Sequence, residues 1–135
     1  MASGYSGTPL VKKLTLRDGM RVWFDAMPEH VIDEIDEYAL ELIFVADPAE
    51  GIDAAHIFVT TRAALEAHLT ALRHQIAPEG QIWVSWPKKA AKVPTDITED
   101  TIREVCLPMG LVDTKVCAID EVWSGLKLVI RKELR

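Results

Sequence analysis

The chain alternates between short apolar runs and stretches whose apolar residues recur every three or four positions. Thr8-Pro9 opens the first helical stretch: Thr can cap free backbone N–H groups and Pro suits the first helical position, so a short helix is predicted to about Leu14. Asp18-Gly19 then turns the chain into a strand, Met20–Ala26. Pro28 opens a helix over Glu29–Tyr38, in which Val31, Ile32 and Ile35 share one apolar stripe. Leu40–Ala46 reads as a second strand stopped by Asp47-Pro48, and after the Ala49–Asp53 loop Ala54–Thr60 reads as a third. Thr61 caps a helix running to about Ile76, with Leu65, Leu69, Leu72 and Ile76 on one face. Pro78-Glu79-Gly80 is expected to turn the chain into a fourth strand, Gln81–Trp86.

The loop Pro87–Ile97 leads to a helix capped by Thr98, with Glu99 and Asp100 in the first turn, where the helix dipole favours acids. Ile102, Val105, Cys106 and Met109 form its buried side; Pro108 ends or bends it, and Gly110 suits a left-handed cap. Val112–Ile119 and Leu126–Lys132 complete the set as strands joined by Asp120–Gly125. Strands alternating with amphipathic helices predict a parallel sheet with right-handed crossovers, and strands rich in Val, Ile, Leu, Phe and Trp need cover on both faces. The predicted class is α/β: a three-layer Rossmann-like sandwich with a mostly parallel six-stranded sheet and a C-terminal antiparallel hairpin. No repeat or linker interrupts it, so a single domain over residues 1–135 is expected.

Composition narrows the functional classes. Of 135 residues, 49% are hydrophobic and 27% charged, which fits a globular chain with one core. No apolar run is long enough to span a bilayer and Met1–Tyr5 has no leader character, so a cytoplasmic protein without membrane partners is expected. The net charge of −6 argues against a dedicated nucleic-acid binder. That charge is unevenly spread: ten acids and no Lys or Arg lie between Val22 and Thr61, while Lys88, Lys89 and Lys92 follow the fourth strand. Cys106 and Cys117 read as small buried hydrophobes. His56, His68 and His74 have no partner at metal-ligand spacing, so no metal is expected.

Three stretches carry a resemblance: Tyr5–Leu14 (YSGTPLVKKL), Trp83–Lys89 (WVSWPKK) and Gly110–Val129 (GLVDTKVCAIDEVWSGLKLV). Through them nearly the whole chain resembles a family of short bacterial proteins of unknown function. The tail of the chain is also similar to the second half of class I S-adenosylmethionine-dependent methyltransferases, and Leu16–Val22 (LRDGMRV) to the lead-in to that fold's first strand. That second resemblance implies the strand order two, one, three, four, six, five, with only the sixth strand antiparallel. One departure is large. The methyltransferase first strand ends in a glycine-rich turn that lets the backbone approach the cofactor. Here it ends Phe24-Asp25-Ala26-Met27-Pro28-Glu29, and no glycine lies between Gly19 and Gly51. Asp25 and Asp47, at the ends of the first two strands, then read as turn formers, and no cofactor is expected.

In an open parallel sheet, ligands bind outside the strand carboxyl ends. The fourth strand brings Ser85, Trp86, Lys88 and Lys89 to that edge, and the fifth brings Asp120, Glu121, Trp123 and Ser124. Ser6-Gly7-Thr8 joins them if the first helix packs as in methyltransferases. Lysines and helix N–H groups would hold an anion and indole faces a ring. The expected function is a non-enzymatic, methyltransferase-like binding module for an anionic or aromatic ligand, with no catalytic residues. Two alternatives stay open. One is a small transferase acting on an anionic substrate, with Asp120 or Glu121 as base and Lys88 as anchor. The other is a regulatory module that docks a protein partner through the Trp123 loop and the acidic helix.

Overall fold

A computed structural model of the chain describes residues 8–135; Ser6 and Gly7, expected at the first helix start, lie outside them. The elements are α1 (Leu10–Lys13), β1 (Arg21–Asp25), α2 (Glu29–Asp36), β2 (Ile43–Phe44), β3 (Ile52–Phe58), α3 (Arg62–Leu72), β4 (Ile76–Pro87), α4 (Glu99–Cys106), β5 (Leu111–Ala118) and β6 (Trp123–Ile130). They build one six-stranded sheet in the order β2-β1-β3-β4-β6-β5. All neighbours from β2 to β4 pair in parallel, and β6 runs antiparallel to both β4 and β5, the order and directions expected.

Two cores flank the sheet because successive strand residues face opposite sides. Ala55, Ile57 and Val59 of the β3 segment join Ile82, Val84 and Trp86 of β4 against Leu65, Leu69 and Leu72 of α3 and Ile102, Val105 and Cys106 of α4. On the other side Ala54, Phe58 and Trp83 pack against Leu10, Val11 and Leu14 of α1 and Val31 and Ile35 of α2. Alternating faces of the central strands thus supply both cores, which makes the domain three layers.

The helix caps follow local chemistry. Thr61 Oγ1 accepts the Ala64 N–H at 3.1 Å. Thr98 and Thr101 exchange bonds as a capping box, each hydroxyl accepting the other's backbone N–H. After α4 a 3-10 turn at Leu107–Met109 carries Pro108, and Gly110 closes it at φ 83°. The first helix differs from expectation. Pro9, not Thr8, is its N-cap, without a side-chain cap bond, and the helix has only four residues.

Several element boundaries also move. The second strand shrinks from Leu40–Ala46 to Ile43–Phe44, because as an edge strand it has only β1 to pair with, and Phe44 is left 57% exposed. α3 ends at Leu72 rather than Ile76, which instead begins β4. Pro78-Glu79-Gly80 is therefore not a turn but a bulge inside β4: the register steps from Ile52↔Ile76 to Ala54↔Gln81. Gly80 is required there, since a Cβ would sit 2.7 Å from the Asp53 carbonyl oxygen. At the hairpin, Trp123, Ser124 and Gly125 belong to β6, paired with Pro87, Trp86 and Ser85, so the connection is shorter than Asp120–Gly125. β6 ends at Ile130, and Lys132 begins a short 3-10 turn.

Candidate functional site

The strand carboxyl ends of β1, β3, β4 and β5 share one edge of the sheet. β4 and the β5–β6 hairpin are joined there by the Lys88 N–H, which donates to the Val122 carbonyl at 2.7 Å. Asp120 shapes that hairpin: its Oδ1 accepts the N–H groups of Val122 and Trp123 at 2.8 and 2.7 Å. The backbone segments that carry Lys88, Asp120, Glu121 and Trp123 thus lie side by side.

Strand alternation divides the rest. Trp86 pairs with Ser124 and Pro87 with Trp123, so the two indoles lie on opposite faces of the sheet. Trp86, 8% exposed, sits on the α3/α4 side. There it lines a cleft of about 340 Å³ with Pro87, Lys89, Thr95, Ile97, Thr98 and Glu99. The Glu99 carboxylate is engaged by Arg103, leaving Lys89 as the cationic group of this cleft. Trp123, on the other side, packs edge-on against Phe58 with ring centroids 5.1 Å apart. The two tryptophans cannot hold one ring between them.

Ser85 is also removed from the edge. It is fully buried on the α1/α2 side, where its hydroxyl lies 2.7 Å from His56 Nε2. Phe58 stacks on the His56 ring at 4.5 Å and Phe24 meets it edge-on. Burial pushes the imidazole pKa down to about 3, so His56 is neutral. Among the described residues no carboxylate bonds to the pair, so it is a satisfied polar pair within an aromatic core. Thr8 is exposed ahead of a helix of a single turn.

The structure adds His30 and pairings that sequence spacing did not show. His30, in the first turn of α2, places Nε2 2.6 Å from Asp120 Oδ2. With Glu121 and Val122 these two line a second cleft of about 310 Å³ on the α2 side. His68 of α3 lies 3.1 Å from Asp25, at the end of β1. Both pairs join residues distant in sequence, and neither has a local signature. Thr95 and Ile97 enter the Trp86 cleft because the Pro87–Ile97 loop folds back, with Thr95 Oγ1 donating to the Thr60 carbonyl at 2.7 Å.

Burial raises the Cys106 thiol to about 11 and also raises Cys117, so neither is a thiolate at neutral pH. Among the described residues no three His, Cys, Asp or Glu side chains gather to hold a metal ion, and no helix is long and apolar enough to cross a membrane.

Sheet order, parallel crossovers and the terminal hairpin define the class: a Rossmann-like domain of the methyltransferase type. A putative methyltransferase from Thermoplasma acidophilum superposes with TM-score 0.59 at 10% identity, covering 95% of this chain and 76% of that one. Magnesium protoporphyrin IX methyltransferase from Synechocystis, solved with bound S-adenosylmethionine, gives TM-score 0.56 at 12% identity over 90% and 74% of the two chains. The fibrillarin pre-rRNA processing protein of Methanococcus jannaschii gives 0.53 at 11% identity over 95% and 71%. At such identities the likeness is one of fold. No curated protein matches the chain in sequence. Residues 12–132 match the family described as "protein of unknown function (DUF3052)", and the chain belongs to that family.

The fold class raises the question of S-adenosylmethionine, and the residues at the end of β1 do not fit it. Ala26 holds φ 56° where the glycine turn would be, Met27 is buried, and Pro28 is the N-cap of α2. Asp25 is paired with His68, and Asp47 accepts the Ala49 N–H at 2.9 Å as the cap of a 3-10 turn. The carboxylates that could meet a ribose are engaged within the protein.

Proposed function

We propose that the protein is a non-enzymatic binding module of methyltransferase-like fold whose ligand is a small aromatic anion. The observation that carries this reading is the Trp86 cleft. It joins an indole, the Lys89 ammonium and the hydroxyl-bearing segment Thr95–Thr98 at the carboxyl end of β4, where open parallel sheets present ligands. An indole face supports a ring and a lysine an anionic substituent. Of the residues expected to form one site, Trp86 and Lys89 line this cleft; Asp120 and Glu121 line the second cleft on the α2 side, and Ser85 and Trp123 lie on that opposite face of the sheet.

A second reading rests on the His30–Asp120 pair. A carboxylate held by two backbone N–H groups and placed 2.6 Å from an exposed imidazole could orient that imidazole as a base, with Lys88 as anion anchor in a small transferase. One experiment separates the two readings: amide chemical-shift mapping against a panel of aromatic carboxylates and phosphates. Shifts confined to Trp86, Lys89 and Thr95–Thr98, and lost in Lys89→Gln, support the module. Shifts at His30, Asp120 and Glu121 favour the transferase. A panel that moves neither cleft sinks both.

A further inference from the structure

The opposite edge of the sheet, at the strand amino ends, carries an arrangement that folding alone does not favour. Lys115 of β5 and Lys127 of β6 are direct cross-strand partners, and Lys127 is opposite Trp83 of β4. Both lysines therefore lie on the α1 side, and the Lys115 Nζ donates to the Lys13 carbonyl at 2.8 Å. Like charges directly opposed on a β ladder are destabilising. Arg17, from the connection between α1 and β1, adds a third cation close enough to act on Lys127. Burial, then the charges of Lys115 and Arg17, lower the Lys127 pKa.

These cations are not neutralised from within. The nearby acids Asp18 and Asp53 accept the backbone N–H groups of Glu41 and Arg21. Among the described residues, no ion pair joins Arg17, Lys115 or Lys127 to a carboxylate. Arg17, Lys127 and Arg135 line an open groove of about 320 Å³ with Thr15 and Gln81, and Glu79 is the one acidic side chain along it. A protein of net charge −6 thus holds a concave patch of opposite sign.

We propose that this groove is an oxyanion site for a phosphate-bearing small molecule, gripped by Arg17 and Lys127 with Lys115 adding its charge from the neighbouring strand. A phosphate dianion matches several converging cations better than a carboxylate does, and the arginine fork suits its oxygens. Glu79 and the acidic remainder of the molecule disfavour a long polyanion. The site lies at the other end of the strands from the Trp86 cleft and does not depend on it.

The test uses inorganic pyrophosphate against sodium chloride of equal ionic strength. For the unmodified protein, about 10 mM pyrophosphate should raise Tm by about 3 °C or more beyond the chloride control, as expected for millimolar affinity. Lys127→Met should raise Tm in the absence of pyrophosphate, by relieving the like-charge contact, and should erase the pyrophosphate increment. If that variant does not fold, Arg17→Gln at an exposed position should weaken pyrophosphate binding about tenfold, and Lys132→Gln should leave it intact. No increment over chloride in the unmodified protein overturns the proposal. So does an increment that survives Lys127→Met or Arg17→Gln, or one that Lys89→Gln alone removes.

Discussion

The buried His56–Ser85 pair makes stability depend on pH in a way that can be worked out from its surroundings. In the unfolded chain the imidazole titrates near 6.5; in the native core burial lowers it to about 3. Below about pH 6.5 the unfolded state takes up a proton that the native state refuses, so stability falls as pH falls and levels off only below about 3. The limiting slope is about 1.4 kcal/mol per pH unit. Between about pH 7.5 and about pH 5 this one residue should remove about 2 kcal/mol. Carboxylates add their own dependence below about pH 5, so the informative quantity is a difference between variants. His56→Asn cannot titrate and can still bond to the Ser85 hydroxyl. Urea denaturation at the two pH values should show the unmodified protein losing roughly 1 M more in midpoint than His56→Asn. Equal losses in the two proteins would mean that His56 protonates in the native state, and the argument from its burial would be wrong.

Thr98→Ala removes the acceptor for the Thr101 N–H and should cost about 1 kcal/mol, read as a Tm lower by a few degrees. Gly110→Ala forces a Cβ into a residue at φ 83° and should cost about 1 to 2 kcal/mol by denaturant titration; an unchanged midpoint would show that the turn can rearrange. S-adenosylmethionine at about 1 mM should leave Tm within about 1 °C, because Ala26, Met27 and Pro28 replace the glycine turn. A rise of several degrees would overturn that reading and favour an enzyme.

What the sequence determined by itself is the local grammar. Thr61, Thr98 and Gly110 begin or end their elements through bonds within a few residues of themselves, so their roles are legible without knowing the fold. The succession of strands and helices was readable for the same reason, and it brought the α/β class with it. Strand register is another matter, because it depends on pairing between distant segments. That pairing alone decided that Pro78-Glu79-Gly80 is a bulge rather than a turn, and that an apolar run from Leu40 to Ala46 contributes only two strand residues. It also sent Trp86 and Trp123 to opposite faces, since a one-residue difference in register reverses which side a strand residue faces. His30 meets Asp120, and Lys115 meets Lys127, only once the sheet closes. A charge or a ring carries no local mark of its partner; the chemistry of both edges of this sheet is a product of register.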